Sequence, residues 1–259
     1  MIPNPLALRL DPSQHVREQI REAAALGARG VVIDAVGDLG PARLSETGRR
    51  ELRFLLRSAE LSLAAVSLPT RRGFDTADQL DDRLRRADAA FAMAYELGTR
   101  LVLVRAGAIP AEEDSGPRSI YLGALEDLGR RADHRGVILA LETGPDSGEK
   151  VRSLIEGLAN PALAASIDPA SLMQNGHDPG ETARALGRHV VHAYATEGSS
   201  GSLTLLARRS GLPAGAVDWE EYVGSLEEVN YRGPLTIWPD PARDRAAQFK
   251  AIATRLREL

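Results

Sequence analysis

The sequence predicts an α/β fold of the (β/α)8 TIM barrel class, and three observations support this prediction. The chain has 259 residues, a common size for such barrels and enough for one domain with a large core. Short apolar runs of β type alternate with longer amphipathic segments, and this alternation occurs eight times. No long linker interrupts it, so we expect a single domain over residues 1–259. The alternative is a doubly wound sheet, which normally has fewer strands, and no glycine-rich phosphate loop follows the first run.

The apolar runs are the predicted strands of the barrel. Their nearly continuous apolar character is typical of parallel strands covered by helices. The longest connections, about 106–117 and 196–216, follow the fourth and seventh strands, on the face where such barrels hold their active sites. In chain order the strands are LALRL (6–10), VVIDAV (31–36), LSLAAVSL (61–68), RLVLVRA (100–106), VILALE (137–142), LAASID (163–168), VVHAYA (190–195) and LTIW (235–238).

The segments between the strands predict helices, most clearly at 14–26 and 78–97. In both segments apolar side chains recur every three to four residues, and in the second Asp and Arg occupy the opposite side. A glycine stands between a helix and the next strand at Gly27, Gly98 and Gly136. A left-handed helix end is favourable chiefly for glycine, so these positions predict where three helices end.

The composition excludes several classes of function. A net charge of −4 gives no reason to expect nucleic acid or an anionic membrane as a partner. The absence of cysteine excludes disulfides, thiolate metal sites and a cysteine nucleophile. No apolar run approaches the roughly 20 residues needed to span a bilayer, and residues 1–12 lack the pattern of a signal peptide. We therefore expect a cytoplasmic protein.

Polar or aromatic residues stand near the ends of strands five to eight, where a barrel builds its active site. Glu142 ends strand five, Asp168 ends strand six and Trp238 ends strand eight. His192 and Tyr194 share one face of strand seven, because strand side chains alternate. Each carboxylate either belongs to a site or caps the following helix. His192 is either a ligand or a hydrogen-bonded core histidine.

Five segments have the order and spacing of one known family. The chain resembles in them the xylose isomerase-like TIM-barrel family, which includes sugar isomerases and epimerases, inosose dehydratases and endonuclease IV. The resemblance covers most of the chain and is strongest over 137–238. The segments that carry it are TRRGFD (70–75), LDDRLRRADAAFAMAYELGTRLVLV (80–104), ALETG (140–144), SIDPASLMQNGHDPGETARALGRHVVHAYATEG (166–198) and GAVDWEEYVGSLEEVNYRGPLTI (215–237).

The resemblance implies one divalent cation, Mn²⁺ or Mg²⁺, held by Glu, Asp, His and Glu from strands five to eight. Glu142 and Asp168 match the first two ligands. The family's seventh strand reads HxHxKD with the second histidine as ligand, whereas HAYATE places His192 first and Tyr194 at the ligand position. Trp238 stands where the fourth ligand, a glutamate, is expected. We therefore predict either an altered divalent metal site or no metal.

Tryptophan offers only an N–H donor, and tyrosine must lose a proton with a pKa near 10 before it binds a metal. The possible substitute ligands are His177, His192 and Asp240. Arg105 ends strand four and is a candidate organic cation that neutralises Glu142 in place of a metal, the alternative being a solvated arginine. Candidate substrate-binding residues are Arg105, His192, Tyr194, Glu197 and Trp238.

By resemblance, the expected function is that of a sugar or polyol isomerase or epimerase. Such an enzyme transfers a proton next to a carbonyl, with Glu142 as the catalytic acid or base. The alternative is a catalytically inactive family member that binds a sugar-like ligand or a protein partner. The expected partner is a small carbohydrate-like molecule, with neither nucleic acid nor membrane, and the oligomeric state stays open.

Overall fold

The computed structural model describes residues 4–197 and 217–259 of the chain. Eight parallel strands follow one another around a closed barrel, and β8 pairs with β1 to complete it. The predicted (β/α)8 TIM barrel is confirmed, since every predicted run contains a strand. The strands are β1 (Leu6–Arg9), β2 (Gly30–Asp34), β3 (Ser62–Leu68), β4 (Leu101–Val104), β5 (Ile138–Glu142), β6 (Leu163–Ile167), β7 (Val190–Ala195) and β8 (Leu235–Ile237).

Helices surround the barrel, and the predicted helices at 14–26 and 78–97 correspond to α1 and α3. Gly27, Gly98 and Gly136 have φ of 82°, 90° and 68°, so the predicted left-handed positions are confirmed. The helices of the described residues are α1 (Val16–Ala25), α2 (Glu46–Ser58), α3 (Leu80–Leu97), α4 (Ser115–Arg135), α5 (Gly148–Leu158), α6 (Pro169–Gln174), α7 (Pro179–Leu186), α8 (Trp219–Glu228) and α9 (Arg245–Glu258). None of them has the length and apolar character needed to cross a bilayer.

Five strands end earlier than the sequence predicts, and for β4, β6 and β8 a predicted site residue then lies just beyond the strand. β4 ends at Val104, so Arg105 lies just beyond it. Asp168 follows β6 and is the N-cap of α6, because its side chain accepts a hydrogen bond from the Ser171 backbone. Trp238 likewise lies one residue beyond β8. These side chains therefore lie at the mouth of the barrel. Of the predicted long connection 196–216, residues 198–216 lie outside the described part of the chain.

A compact apolar layer fills the barrel interior below the mouth. It consists of fully buried side chains, and those from β3 and β5 are alanines, which leave room for larger neighbours. Strand side chains alternate, so the residue two positions further along points into the interior at the next level. Four mouth residues occupy such positions: Asp34, Ser67, Arg105 and Glu142. The layer below comprises Val32, Ala65, Leu103, Ala140 and Tyr194.

Candidate functional site

A buried arginine at the end of β1 is the centre of the site. The side chain of Arg9 is only 4% exposed. Its Nε donates to Asp34 Oδ1 at 3.0 Å, and its two terminal nitrogens donate to the hydroxyl groups of Tyr194 at 2.7 Å and Ser67 at 2.9 Å. The Trp238 ring covers the guanidinium, with its centroid 3.6 Å from Cζ. Arg9 is therefore held by hydrogen bonds at its edges and by a cation–π contact on one face.

Two buried carboxylates compensate the charge of Arg9. A terminal nitrogen of its guanidinium lies 2.9 Å from Asp34 Oδ1, and the other lies 3.6 Å from Glu142 Oε1. The two carboxylate side chains are only 10% and 6% exposed. Burial raises the pKa of Asp34, although the neighbouring Arg9 opposes this shift. Arginine stays protonated in proteins, so a permanent positive charge lies inside the barrel mouth.

Besides Arg9, the Glu142 carboxylate has two further neighbours, Tyr194 and Arg105. The Tyr194 hydroxyl donates a hydrogen bond to its Oε1 at 2.8 Å. On the other side, Arg105 Nε lies 3.8 Å from Oε2. Arg105 is 53% exposed, so water screens this contact and it contributes little to stability. The predicted proximity of Arg105 and Glu142 is present, but Arg9 is the buried cation at this carboxylate.

Tyr194 connects Arg9 with Glu142. Its hydroxyl accepts from the Arg9 guanidinium and donates to Glu142, so both roles of a neutral phenol are used. Burial raises the pKa of Tyr194 well above 10, and the charge of Glu142 raises it further. The residue at the predicted ligand position is therefore a protonated hydrogen-bond donor.

Asp168, the second retained carboxylate, has a different environment. Its Oδ1 accepts from the Thr196 hydroxyl at 2.8 Å and caps α6 through the Ser171 amide at 3.4 Å. The Thr143 hydroxyl accepts from the backbone amide of Asp168 at 3.1 Å. Burial raises the pKa of Asp168, although the hydrogen bond from Thr196 opposes this. Its hydrogen-bond partners are hydroxyl and amide groups.

His192 lies deeper in the barrel and hydrogen-bonds to two hydroxyl groups. Its Nδ1 is 2.8 Å from Ser166 Oγ and its Nε2 is 2.9 Å from Thr236 Oγ1. Burial lowers the pKa of His192 to about 3, and the charge of Arg9 contributes to this shift. The imidazole is therefore neutral, with one nitrogen donating and the other accepting. This geometry favours the interpretation of a hydrogen-bonded core histidine.

The remaining predicted residues have partners of their own outside this cluster. Half-buried His177 has its Nε2 3.3 Å from the Pro145 carbonyl oxygen. Asp240 lies at the surface and accepts a hydrogen bond from the Ala242 amide. Glu197 forms an ion pair with Arg255 of α9. The structure thus brings together Glu142, Tyr194, Arg105 and Trp238, together with Arg9. His177 and Glu197 lie apart from them, and Asp240 lines a surface cavity next to Arg9 and Trp238.

The donor set at the mouth does not fit the four-ligand cation site that the sequence resemblance implies. Glu142 already accepts from Tyr194 and faces Arg9, while Trp238 offers only an N–H group. Within residues 4–197 and 217–259, no group of three or more His, Cys, Asp or Glu side chains is arranged to hold a metal ion. The remaining residues, 1–3 and 198–216, contain none of these four residue types.

Sequence reasoning missed Arg9, Asp34 and Ser67. All three belong to the strands β1 to β3, whereas the family resemblance directs attention to strands five to eight. One signal was present: Arg9 is a charged residue within an apolar strand, on the same face as Ala7. A charge on the interior face of a barrel strand predicts buried partners of opposite charge.

A family model described as xylose isomerase-like TIM barrel matches residues 20–259. The chain belongs to this family. The predicted resemblance is therefore confirmed over most of the sequence. A comparison with curated protein sequences finds no match.

Solved structures of similar fold cover nearly the whole chain. A xylose isomerase domain protein from Planctomyces limnophilus has a TM-score of 0.82 and 22% identity, with coverage of 99% of this chain and 95% of that chain. D-psicose 3-epimerase from Clostridium cellulolyticum H10 has a TM-score of 0.79, 13% identity and 98% coverage of both chains. The 3-keto-D-glucoside 4-epimerase from E. coli has a TM-score of 0.77 and 13% identity, covering 99% of this chain and 100% of its own. At such identities the likeness shows the fold.

Proposed function

We propose that this chain is a sugar or polyol isomerase or epimerase-like protein with an altered metal site, and that Glu142 transfers a proton next to a carbonyl. The observation that carries the proposal is the environment of Glu142, which accepts from the Tyr194 hydroxyl and lies 3.8 Å from half-exposed Arg105. A carboxylate beside a partly exposed cation at a barrel mouth suits acid–base chemistry. Several structural neighbours are named as sugar epimerases, which supports the substrate class.

The proposed chemistry needs one base and one electrophilic group. The Glu142 carboxylate removes a proton from the carbon next to the substrate carbonyl, and the electron pair moves onto the carbonyl oxygen. Arg105 stabilises the negative charge on that oxygen by hydrogen bonding. The carboxylic acid then returns the proton to the former carbonyl carbon. The hydroxyl proton on the first carbon moves to the former carbonyl oxygen, so that the carbonyl group ends on the first carbon. One base suffices for this isomerisation, whereas epimerisation at a single carbon needs a second group on the opposite face.

Proton exchange with solvent tests the proposal. The full chain is incubated with aldoses and ketoses in D₂O, and NMR follows deuterium at the carbon next to the carbonyl. We expect incorporation with at least one sugar, and a rate about 10²- to 10⁴-fold lower for Glu142→Gln. The matched control is Glu156→Gln, the same change at an exposed residue of α5 that faces His189. Equal exchange by the native chain and Glu142→Gln removes Glu142 from the reaction.

The second candidate is a catalytically inactive protein that binds a sugar-like ligand. A cavity of about 280 Å³, close to the lower size of small-molecule sites, favours this candidate. Of the residues that the structure describes, Arg9, Asp34 and Trp238 line this cavity, whereas Glu142 does not. A ligand held against the Trp238 ring, a flat apolar face suited to stacking, would then lie away from the proposed base.

Binding and exchange measurements together separate the two candidates. The binding-only function predicts saturable binding of a sugar, detected by calorimetry, without deuterium incorporation. Its affinity falls in Trp238→Ala and is unchanged in Glu142→Gln. Deuterium incorporation that depends on Glu142 contradicts this second candidate.

A further inference from the structure

We propose that Arg9 is the built-in cation of this barrel mouth, which balances and positions Glu142 and Asp34 in place of a bound metal ion. The inference goes beyond the proposed function, because it concerns the charge of the site and does not require proton transfer. It rests on the contacts of Arg9, its burial and the mismatch between the donor set and a metal.

The contacts of Arg9 surround the guanidinium as ligands surround a cation. Carboxylate oxygens of Asp34 and Glu142 lie 2.9 Å and 3.6 Å from its terminal nitrogens. The hydroxyl oxygens of Ser67 and Tyr194 accept further hydrogen bonds from it. These four oxygens come from β2, β3, β5 and β7, on both sides of β1 around the barrel. Arg9 thus gathers oxygen atoms from widely separated strands.

Because Asp34 and Glu142 are buried, their two negative charges require a neighbouring cation. Two carboxylates with side-chain exposures of 10% and 6% repel each other unless a cation lies between them. Arginine suits this position because its planar fork binds two oxygen groups at once and stays charged when buried. The Trp238 ring closes the face of the guanidinium at 3.6 Å. Trp238, which stands at a predicted metal-ligand position, therefore packs on the guanidinium of Arg9.

The same contacts disfavour a divalent metal. An ion bound to Glu142 would lie within a few ångströms of the Arg9 guanidinium, and like charges at that distance repel strongly in a site of low water content. It would also compete with the Tyr194 hydroxyl, which already donates to Glu142 Oε1. Small side chains make room for the arginine, because β3 contributes Ser67 at the mouth and Ala65 below it.

Thermal unfolding of the full chain, with added cations as probes, tests the inference. We expect millimolar Mn²⁺ or Mg²⁺ to leave the Tm of the native chain unchanged. In Arg9→Ala, which removes the guanidinium and leaves its space, tens of millimolar guanidinium should raise the Tm relative to equal sodium. The expected rise is about 3–6 °C, the shift for a domain of this size when the ligand exceeds its Kd about tenfold. Arg105→Ala is the matched control, in which guanidinium should give no rise.

Two results would overturn the inference. The first is a rise in the Tm of the native chain with Mn²⁺ that Glu142→Gln abolishes, since the native site would then hold a metal despite Arg9. The second is an Arg9→Ala protein that folds and whose Tm responds to guanidinium no more than that of Arg105→Ala. If Arg9→Ala does not fold, the metal titration of the native chain decides alone. Neither result depends on sugar turnover, so failure here is distinguishable from failure of the proposed function.

Discussion

The two carboxylates retained at the barrel mouth, Glu142 and Asp168, lie at the ends of neighbouring strands but have opposite environments. Glu142 at the end of β5 faces the guanidinium of Arg9 and accepts from the Tyr194 hydroxyl. Asp168 after β6 accepts from the Thr196 hydroxyl and from the backbone amide of Ser171. The negative charge of Glu142 is thus stabilised by the full charge of Arg9, whereas Asp168 is stabilised by the dipoles of hydroxyl and amide groups.

This difference shows how a barrel mouth retains two acidic groups without a shared cation. Burial raises the pKa of Asp168, although the hydrogen bonds from Thr196 and the Ser171 amide oppose this shift. Further inside the barrel, the β6–β7 side contains only neutral groups among these hydrogen-bond partners: Ser166, His192 and Thr236. The side of β1 and β2 concentrates charge around Arg9. Three measurements test this difference between the two sides of the mouth.

Removal of the buried cation should have the largest effect on stability. Arg9→Met keeps much of the side-chain volume but leaves Asp34 and Glu142 buried without their positive partner. We expect the free energy of unfolding to fall by about 3–5 kcal/mol, as is typical when one partner of a buried ion pair is removed. Urea denaturation followed by circular dichroism measures this change.

Arg105→Met is the matched control, because it removes the exposed arginine beside the same glutamate. At 53% exposure, that contact should contribute about 0–1 kcal/mol. Similar losses in the two variants would mean that Arg9 and Arg105 are equivalent at Glu142. Compensation of the Glu142 charge would then not be specific to the buried arginine.

Neutralising each carboxylate in turn gives the second measurement. Glu142→Gln removes the negative charge that faces Arg9, and we expect a loss of about 2–3 kcal/mol, since hydrogen bonds and contacts to charged groups are involved. Asp168→Asn keeps an oxygen that accepts from Thr196 and caps α6 equally well, so we expect a change within about 1 kcal/mol. Denaturation of both variants at pH 7 checks the difference, and a larger loss for Asp168→Asn contradicts it.

The sequence predicted the strands and the positions of Glu142 and Asp168 at the strand ends but not the cation beside Glu142, and the reason is physical. Apolar alternation and strand-end position are local properties, so the barrel, Glu142 and Asp168 follow from short segments. The partners of Arg9 are not local: Asp34 is 25 residues away and Tyr194 is 185 residues away. The pairing of β1 with β2 brings Asp34 to Arg9, and closure of the barrel through β8 brings Tyr194 there. For His192, periodicity left two interpretations open, and its hydroxyl partners on β6 and β8 distinguish them.

The third and smallest prediction concerns His192 on the β6–β7 side of the mouth. We expect its buried imidazole to make the stability of the protein depend on pH. Its folded-state pKa is about 3, well below the ordinary value of 6.5, because burial disfavours the imidazolium. The unfolded chain therefore binds a proton that the folded chain excludes once the pH falls below 6.5. The contribution of neutral His192 to the free energy of unfolding is fully present above pH 6.5. It is lost as the pH falls towards 3, by about 1.4 kcal/mol per pH unit.

Between pH 6.5 and 5 this effect amounts to about 2 kcal/mol, and His192→Gln isolates it. The glutamine amide donates and accepts as the neutral imidazole does, but it does not titrate. The raised pKa values of Asp34 and Asp168 act in the opposite direction, with stability falling as the pH rises through them. Both are retained in the variant, so the difference between the two stability curves reports His192 alone. Parallel curves over this range would mean that the imidazole is protonated in the folded barrel, and the β6–β7 side would then be charged like the β1–β2 side.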